Sequence, residues 1–271
     1  MKRIDIISGS RADRGMLEIV RDALLPYFAV GWEAAEQYDV RRSDADMILV
    51  LGDRFEILRV VLAAHLCRKP VAHIAGGDVT EGSYDDAMRD CISRMASIHF
   101  VTSTSAMARL THMGLRNVHL VGNPSVDLIK RGDWRQDRPI KEPYIVINCQ
   151  PETLSERPAQ VMRDLLRVLP VHPLRVYVRP NPDRGSDEIN RIIDDVALPV
   201  DRIIENIPHN AYLNLLAHCD LLAGNSSSLL YEAPELGIKT LLVGNRQKGR
   251  TIPWGDGHAA QRIANILRYT A

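Results

Sequence analysis

Polar side chains suited to acid–base chemistry follow two apolar segments within residues 46–90. Residues 47–51 form an unbroken apolar run, and Asp53 comes shortly after it. Residues 71–75 form a second run, and Asp78 follows that one. The apolar spacing between the runs is helical, which predicts a strand–helix–strand unit in a parallel sheet covered on both faces. Because ligands of open α/β sheets bind past the carboxyl ends of the strands, these carboxylates mark one candidate site.

A second candidate site is the turn at residues 224–228, Gly-Asn-Ser-Ser-Ser, which follows an apolar run and begins a helix. Serine hydroxyls and the unpaired N–H groups of a helix start converge there, which suits a diphosphate. Glu232 lies one turn further on, where its carboxylate can accept hydrogen bonds from two ribose hydroxyls. The alternative interpretation is that the serines only cap the helix. The next strand ends in a loop with three cationic side chains, Arg246, Lys248 and Arg250. Because this loop is expected beside the serine turn, it is a candidate phosphate clamp.

The elements that must position these groups alternate between strand and helix patterns along the chain. Strands are predicted at residues 3–9, 47–51, 71–75, 98–103, 118–122, 144–149, 174–178, 202–207, 221–224 and 240–244. Residues 28–43 contain no clear strand pattern, and a helix is expected over 228–236. The polar, proline-containing stretch 130–143 is typical of a linker between domains at residues 1–132 and 143–271. The pattern therefore predicts an α/β protein with two doubly wound, Rossmann-like domains facing a cleft.

The charge balance, the cysteines and the apolar runs of the sequence argue against several classes of function. The 271-residue chain carries 34 basic and 34 acidic residues, so no global field draws it to nucleic acid or to an anionic membrane. Four dispersed cysteines without C-x-x-C spacing are expected to be reduced core thiols. No apolar run approaches the about 18–20 residues of a membrane span, and the first ten residues indicate a strand rather than a signal peptide. We expect a cytoplasmic protein that needs neither a metal nor another cofactor.

These motifs together resemble the UDP-N-acetylglucosamine 2-epimerase family, and within it the hydrolysing branch that releases UDP and N-acetylmannosamine or a related sugar. The matching residues, in family order along nearly the whole chain, are 9–13, 52–56, 73–82, 85, 86, 89, 99–100, 122–124, 180, 181, 183, 224–228, 232–234 and 246–250. The resemblance implies the glycosyltransferase-B architecture with a reduced N-terminal domain. It also implies that UDP binds the C-terminal domain and that the sugar lies in the cleft.

The chemistry implied by the resemblance starts with proton abstraction from sugar C2 and elimination of UDP, and the resulting glycal is then hydrated. Acid and base carboxylates at the sugar and cations at the diphosphate are needed. By family position the catalytic candidates are Asp53, Asp85, Asp86 and the orienting Arg89. The substrate-binding candidates are Arg11, Asp13, Gln150, Asn181, Asn225, Ser226, Ser227, Ser228, Glu232, Arg246, Gln247 and Lys248.

Several residues depart from the family pattern. Gln150 stands where relatives usually carry histidine, and an amide cannot exchange a proton near neutral pH. Asp90 replaces a histidine, Ala75 a glutamate and Leu229 a glycine. The segment 28–43 is too short for the additional elements of relatives. The nucleotide side is therefore better preserved than the sugar side.

Three functions fit these residues. An epimerase that eliminates UDP from a UDP-N-acetylhexosamine and releases the C2-epimerised sugar explains the motif set best. A glycosyltransferase that moves the sugar from a UDP-sugar to an acceptor hydroxyl explains the missing histidine and the short first domain. A non-catalytic nucleotide-sugar binder is the third option. The predicted partners are a UDP-sugar, an acceptor in the transferase case, and a second copy of the chain in a homodimer.

Overall fold

The computed structural model describes residues 1–9, 13–80, 84–134, 137–248 and 254–270, and these fold into two units. The first unit contains the described residues of 1–79, 85–131 and 251–271. The second contains those of 80–84 and 132–250. Each unit is built on a parallel β-sheet, which confirms the predicted α/β class. Within the described ranges, no helix is both long and apolar enough to cross a membrane.

The described part of the first unit has a sheet of six parallel strands. They are β1 (Arg3–Ser8), β2 (Ala29–Ala34), β3 (Met47–Leu51), β4 (Val71–Ile74), β5 (Ile98–Val101) and β6 (Val118–Leu120). Their order in the sheet is β2-β1-β3-β4-β5-β6. The helices that follow them in the chain are α1 (Arg14–Leu24), α2 (Phe55–Leu66), α3 (Asp85–Met95), α4 (Thr104–His112) and α5 (Pro124–Arg131). Because β3, β4 and β5 are buried throughout, helices cover both faces of the sheet, as the unbroken apolar runs predicted.

The described part of the second unit has a sheet of five parallel strands. They are β7 (Ile145–Asn148), β8 (Arg175–Val178), β9 (Arg202–Ile204), β10 (Leu221–Gly224) and β11 (Thr240–Leu242). Their order is β11-β10-β7-β8-β9. Its helices are α6 (Gln160–Val168), α7 (Ser186–Val196), α8 (His209–Ala217) and α9 (Glu232–Leu236). In place of one helix over 228–236, a short 3-10 helix at Ser227–Leu229 precedes α9.

The last helix, α10 (Ala259–Thr270), belongs to the first unit, whereas the sequence pattern assigned it to a domain at 143–271. Its inner face, which includes Ile263 and Leu267, is buried in the same core as α1 and β1. The buried Asp127 of α5 accepts hydrogen bonds from the N–H groups of Ala259 (3.0 Å) and Ala260 (2.8 Å). This cap satisfies donors at the start of α10 and fixes the helix to the first unit.

The prediction that residues 28–43 contain no strand is wrong, because β2 lies there. β2 pairs in parallel with β1 at the edge of the sheet and is only partly buried, so its sequence lacks the continuous apolar run of the inner strands. Its Gly31 packs against the carboxylate of Asp5, where a Cβ atom would collide with an Asp5 oxygen. The strand is therefore specified by its neighbour rather than by its own pattern.

The cysteine prediction holds only in part. All four cysteines are free, but Cys67 and Cys91 are exposed, so they are not core thiols. Burial raises the pKa of the Cys149 thiol and of the Cys219 thiol to about 12. These two behave as inert core side chains.

Candidate functional site

In the first unit, Arg89 gathers the predicted catalytic carboxylates. It lies on α3 and is only 2% exposed, and its guanidinium donates hydrogen bonds to Asp53 and Asp86. It also donates to the backbone carbonyl of Asp78 at 2.7 Å. Burial alone lowers the pKa of Arg89, but the negative charges of Asp53, Asp78 and Asp86 outweigh it and raise the pKa. A permanent buried cation thus fixes the orientation of two partly exposed carboxylates.

The turns after β3 and β4 place these groups at one edge of the sheet. Gly52 adopts a left-handed conformation (φ +82°) and directs the chain from β3 into Asp53 and α2. Gly77 (φ +80°) packs so closely that a Cβ atom would lie 2.6 Å from the Ala106 carbonyl oxygen. Both turns favour glycine, and each precedes an aspartate at the carboxyl edge of the sheet, where ligands of open α/β sheets bind.

Asp78 belongs to this cluster although the resemblance does not imply a role for it. Its carboxylate accepts a hydrogen bond from the Thr102 hydroxyl at 3.1 Å, and its carbonyl accepts from Arg89 and from Arg109. The signal that marks it in the sequence is its position after the second apolar run. Asp90, at the place of a family histidine, forms an ion pair with Arg109 at 2.8 Å.

The remaining described candidates of the first unit lie at or near the starts of helices. Asp85 is half-buried in the first turn of α3, on the same turn as Asp86. Asp13 occupies the N-cap position of α1. Arg11 lies outside the described residues, so its predicted phosphate contact stays a prediction.

In the second unit, amide side chains connect the loops that follow β7, β8 and β10. The Gln150 Oε1 atom accepts from the Asn181 N–H at 3.0 Å, and its Nε2 donates to Asn148 Oδ1 at 2.9 Å. Asn148 Nδ2 in turn donates to the Tyr212 hydroxyl at 2.9 Å. Asn225 bonds both backbone groups of Gln150. The predicted residues Gln150, Asn181 and Asn225 therefore form one network of neutral groups, in which Gln150 and Asn225 are buried and Asn181 is exposed.

The serine turn lies next to this network. The Ser226 hydroxyl accepts from the Ser228 N–H at 3.3 Å and caps the short 3-10 helix, so capping is one role of Ser226. Ser226 and Ser227 are half-buried and Ser228 is buried. Gly224 (φ +143°) brings the turn so close to β7 that a Cβ atom would collide with the Asn148 carbonyl oxygen. The turn is thus tightly held while two of its serines keep some exposure.

Glu232 is a buried carboxylate with spare hydrogen-bonding capacity. It is 7% exposed at the start of α9, and its Oε1 lies 3.8 Å from His209 Nε2. Its Oε2 has no hydrogen-bond partner among the described residues. Because a buried carboxylate oxygen is costly to leave unpaired, this position suits a ligand hydroxyl.

The predicted phosphate clamp after β11 is partly occupied by the protein itself. The Glu152 carboxylate accepts hydrogen bonds from the N–H groups of Asn245 and Arg246. The Arg246 guanidinium donates to the Pro151 carbonyl at 3.1 Å, and buried Gln247 donates to the Asn225 carbonyl at 2.9 Å. Lys248 is exposed, and Arg250 lies outside the described residues. Arg246 and Gln247 thus hold the loop to its neighbours, and Glu152 is a contributor that sequence analysis missed.

A protein-bound metal ion needs several ligating side chains that converge on one point. Among the residues that the structure describes, no group of three or more histidine, cysteine, aspartate or glutamate side chains is arranged to hold a metal ion.

The chain matches the family model of UDP-N-acetylglucosamine 2-epimerase over residues 34–252. It is 29% identical to GDP/UDP-N,N'-diacetylbacillosamine 2-epimerase (hydrolyzing) from Campylobacter jejuni, with 76% of this chain and 58% of that protein aligned. It is 31% identical to polysialic acid biosynthesis protein P7 from Escherichia coli, with 76% and 56% aligned. The chain therefore spans less than two thirds of the length of these relatives.

Among solved structures, the chain resembles UDP-GlcNAc 2-epimerase from Methanocaldococcus jannaschii in complex with UDP-GlcNAc and UDP. The TM-score is 0.78 at 15% identity, and the match covers 98% of this chain and 99% of that one. At this identity the likeness concerns the fold.

Proposed function

Because the chain belongs to the UDP-N-acetylglucosamine 2-epimerase family, we propose that it acts on a UDP-N-acetylhexosamine, eliminates UDP and releases the C2-epimerised sugar. The observation that supports this most is the buried Arg89 holding Asp53 and Asp86 at the carboxyl edge of the first sheet. Epimerisation at C2 needs such carboxylates because a proton must leave one face of the sugar.

In this proposal Asp53, Asp85 and Asp86 supply the base and the acid, and Arg89 orients them. Asp53 and Asp86 are 25% and 24% exposed, so each keeps a face that a sugar can reach. Asp78 stands beside them as a further carboxylate of the cluster. Gln150 cannot carry a proton, so proton transfer falls to the carboxylates of the first unit.

The UDP group is proposed to bind the second unit at the serine turn and Glu232. The unpaired Glu232 Oε2 supports a contact with a ribose hydroxyl, and the partly exposed Ser226 and Ser227 support contacts with the diphosphate. All other substrate-binding roles stay predictions as well, as do the cytoplasmic location and the homodimer. The residues concerned are Arg11, Asp13, Gln150, Asn181, Asn225, Ser228, Arg246, Gln247 and Lys248.

Catalysis is tested by incubating the protein with UDP-N-acetylglucosamine, and separately with UDP-N,N'-diacetylbacillosamine, in deuterated water. NMR should show UDP release and deuterium at C2 of the free sugar. Asp53→Asn should lower the rate of UDP release by about 100-fold or more, because it removes a proton-transfer group. Asp44→Asn is the control, since Asp44 is on the surface with a 77% exposed side chain.

A transferase would instead release UDP only in the presence of an acceptor. The transferred sugar would keep its configuration at C2 and carry no deuterium there. Activity that a chelator abolishes and that magnesium or manganese restores would contradict the expected independence from metals.

UDP binding is tested by calorimetry on Glu232→Gln. The variant keeps the shape but loses the charge, so a charge-assisted bond to ribose weakens and the affinity for UDP should fall by about 10-fold. Glu235→Gln is the matched control, because Glu235 is exposed on the same helix. Equal affinity of Glu232→Gln and wild type would remove Glu232 from the site.

A further inference from the structure

His73 is a buried histidine of β4 with both ring nitrogens engaged. It is 0% exposed. Its Nε2 lies 2.7 Å from the Gly52 carbonyl oxygen, and its Nδ1 lies 3.1 Å from the Ser93 hydroxyl. A carbonyl oxygen can only accept, so Nε2 carries the proton and Nδ1 accepts from Ser93. The contacts therefore specify one neutral tautomer.

The two hydrogen bonds of His73 connect the elements that carry the proposed catalytic pair. Gly52 directly precedes Asp53. Ser93 lies one turn after Arg89 on the same helix, and both side chains are buried. The turn at Gly52 and α3 are therefore joined twice, once through the Asp53–Arg89 ion pair and once through the His73 imidazole. We call the two hydrogen bonds of His73, to Gly52 and to Ser93, the bridge.

The surroundings of His73 leave little freedom for the ring. A Cβ atom on Gly76 would lie 2.8 Å from the Ser93 hydroxyl and 3.0 Å from His73 Nδ1, so the backbone at Gly76 packs directly against this bridge. Burial first, and then the charges of His99 and Arg89, lower the pKa of His73 to about 3, although the Gly52 carbonyl and Asp53 act in the opposite direction. His73 thus stays neutral near pH 7, where it can orient groups but does not exchange a proton.

We propose that His73 is a positioning residue for the reaction proposed above, fixing the turn at Gly52 against α3 so that Asp53 presents its carboxylate to the sugar. His73 itself touches no reacting atom. The effect on turnover rests on the proposed function, whereas the effect on the geometry of the turn does not.

The test compares two conservative variants that each keep one end of the bridge. The amide of His73→Gln reaches the position of Nε2 and keeps the bond to Gly52. The amide of His73→Asn reaches only the position of Nδ1 and keeps the bond to Ser93. Because a displacement of about 1 Å at a catalytic group can cost about 100-fold in rate, kcat should fall by about 10- to 100-fold in His73→Asn. His73→Gln should recover most of it, while KM and the affinity for UDP change less than about twofold in both.

His99 provides the matched control. It lies opposite His73 in the register of β4 and β5 and is also buried, but among the described residues it makes no hydrogen bond to the turn at Gly52. Replacing it with Gln or Asn alters core packing to a similar extent, so the two His99 variants should have equal kcat values. If His73→Gln and His73→Asn also have equal kcat values, or if their loss simply follows their thermal stability, His73 is not a positioning residue.

A second measurement is independent of turnover. Amide hydrogen exchange in a peptide covering residues 52–56 should be faster in His73→Asn than in His73→Gln, because only the former releases the Gly52 carbonyl. A peptide covering β7 in the second unit should exchange equally in both. If wild type shows no epimerase activity but the two variants still differ in this exchange, the proposed function is rejected and the bridge is retained. Equal exchange of residues 52–56 in both variants would overturn the inference whatever the activity.

Discussion

Gln150 and Asn225 hold each other through two hydrogen bonds that run in opposite directions. The Gln150 N–H donates to Asn225 Oδ1 at 2.6 Å, and Asn225 Nδ2 donates to the Gln150 carbonyl oxygen at 2.8 Å. Asn225 follows β10, Gln150 follows β7, and the two strands pair in parallel up to Gly224 and Asn148. The Asn225 side-chain amide thus extends the pairing of the two strands beyond their ends. It also fixes two loops that carry proposed nucleotide contacts.

Asn225→Asp should destabilise the second unit. The carboxylate can still accept from Gln150 N–H but cannot donate, so the buried Gln150 carbonyl loses its partner at a cost of about 1–3 kcal/mol. Urea unfolding measures the stability, and calorimetry should show weaker UDP binding. Asn265→Asp, on the exposed face of α10, should change the stability by less than about 0.5 kcal/mol. Equal stability of the two variants would contradict this role of Asn225.

Asp127→Asn should loosen α10. The substitution removes one of the two oxygens that accept from Ala259 and Ala260, and it places an NH2 group against an N–H donor. We expect a loss of about 1–3 kcal/mol and faster amide exchange across residues 259–270. Asp187→Asn, in the exposed first turn of α7, is the control and should have a smaller effect. Unchanged exchange in α10 would show that apolar packing alone holds this helix.

Gly224→Ala should disrupt the second unit, because a methyl group there collides with the Asn148 backbone and the φ of +143° is strained for any L side chain. Gly114→Ala separates the two causes. Gly114 also has a positive φ (+80°), but a methyl group there would meet no atom of the described residues within 4 Å beyond its own chain neighbours. Circular dichroism melting should show a drop worth about 1 kcal/mol for Gly114→Ala and a much larger loss for Gly224→Ala. Similar melting temperatures would argue against the close approach of β10 to β7.

Stability should fall as the pH drops below about 6.5. Burial lowers the pKa of His73 to about 3 and that of His99 to about 4, so both histidines bind protons in the unfolded chain before they do so in the folded one. His73 alone makes stability rise by up to about 1.4 kcal/mol per pH unit between about pH 3 and 6.5, and His99 adds to the same trend down to about pH 4.

Urea unfolding at pH 7, 6 and 5 measures this slope. His73→Gln removes one of the two groups, so its stability should depend less steeply on pH than that of wild type. The same slope in both proteins would mean that His73 is not held neutral by the fold.

The sequence by itself determined the family, the α/β class and the inner strands. Unbroken apolar runs such as residues 47–51 are local features, since a strand buried on both faces must be apolar at every position. The groups after those runs could be placed at one sheet edge because parallel strands share that edge. The sheet edge brought Asp53 and Asp78 together, and the family resemblance added Asp86 and Arg89. In the structure Arg89 contacts all three aspartates.

The tertiary structure alone decided the features that depend on groups far apart in the chain. Asp127 caps a helix start 132 residues further on, and Asn225 bonds a backbone 75 residues before it. The edge strand β2 exists because β1 offers it hydrogen bonds, and its own sequence carries only a weak signal. Local periodicity records which face of an element is buried. It contains no information on which donor bonds to which acceptor, because these pairs form only when residues far apart in the sequence come into contact in the folded protein.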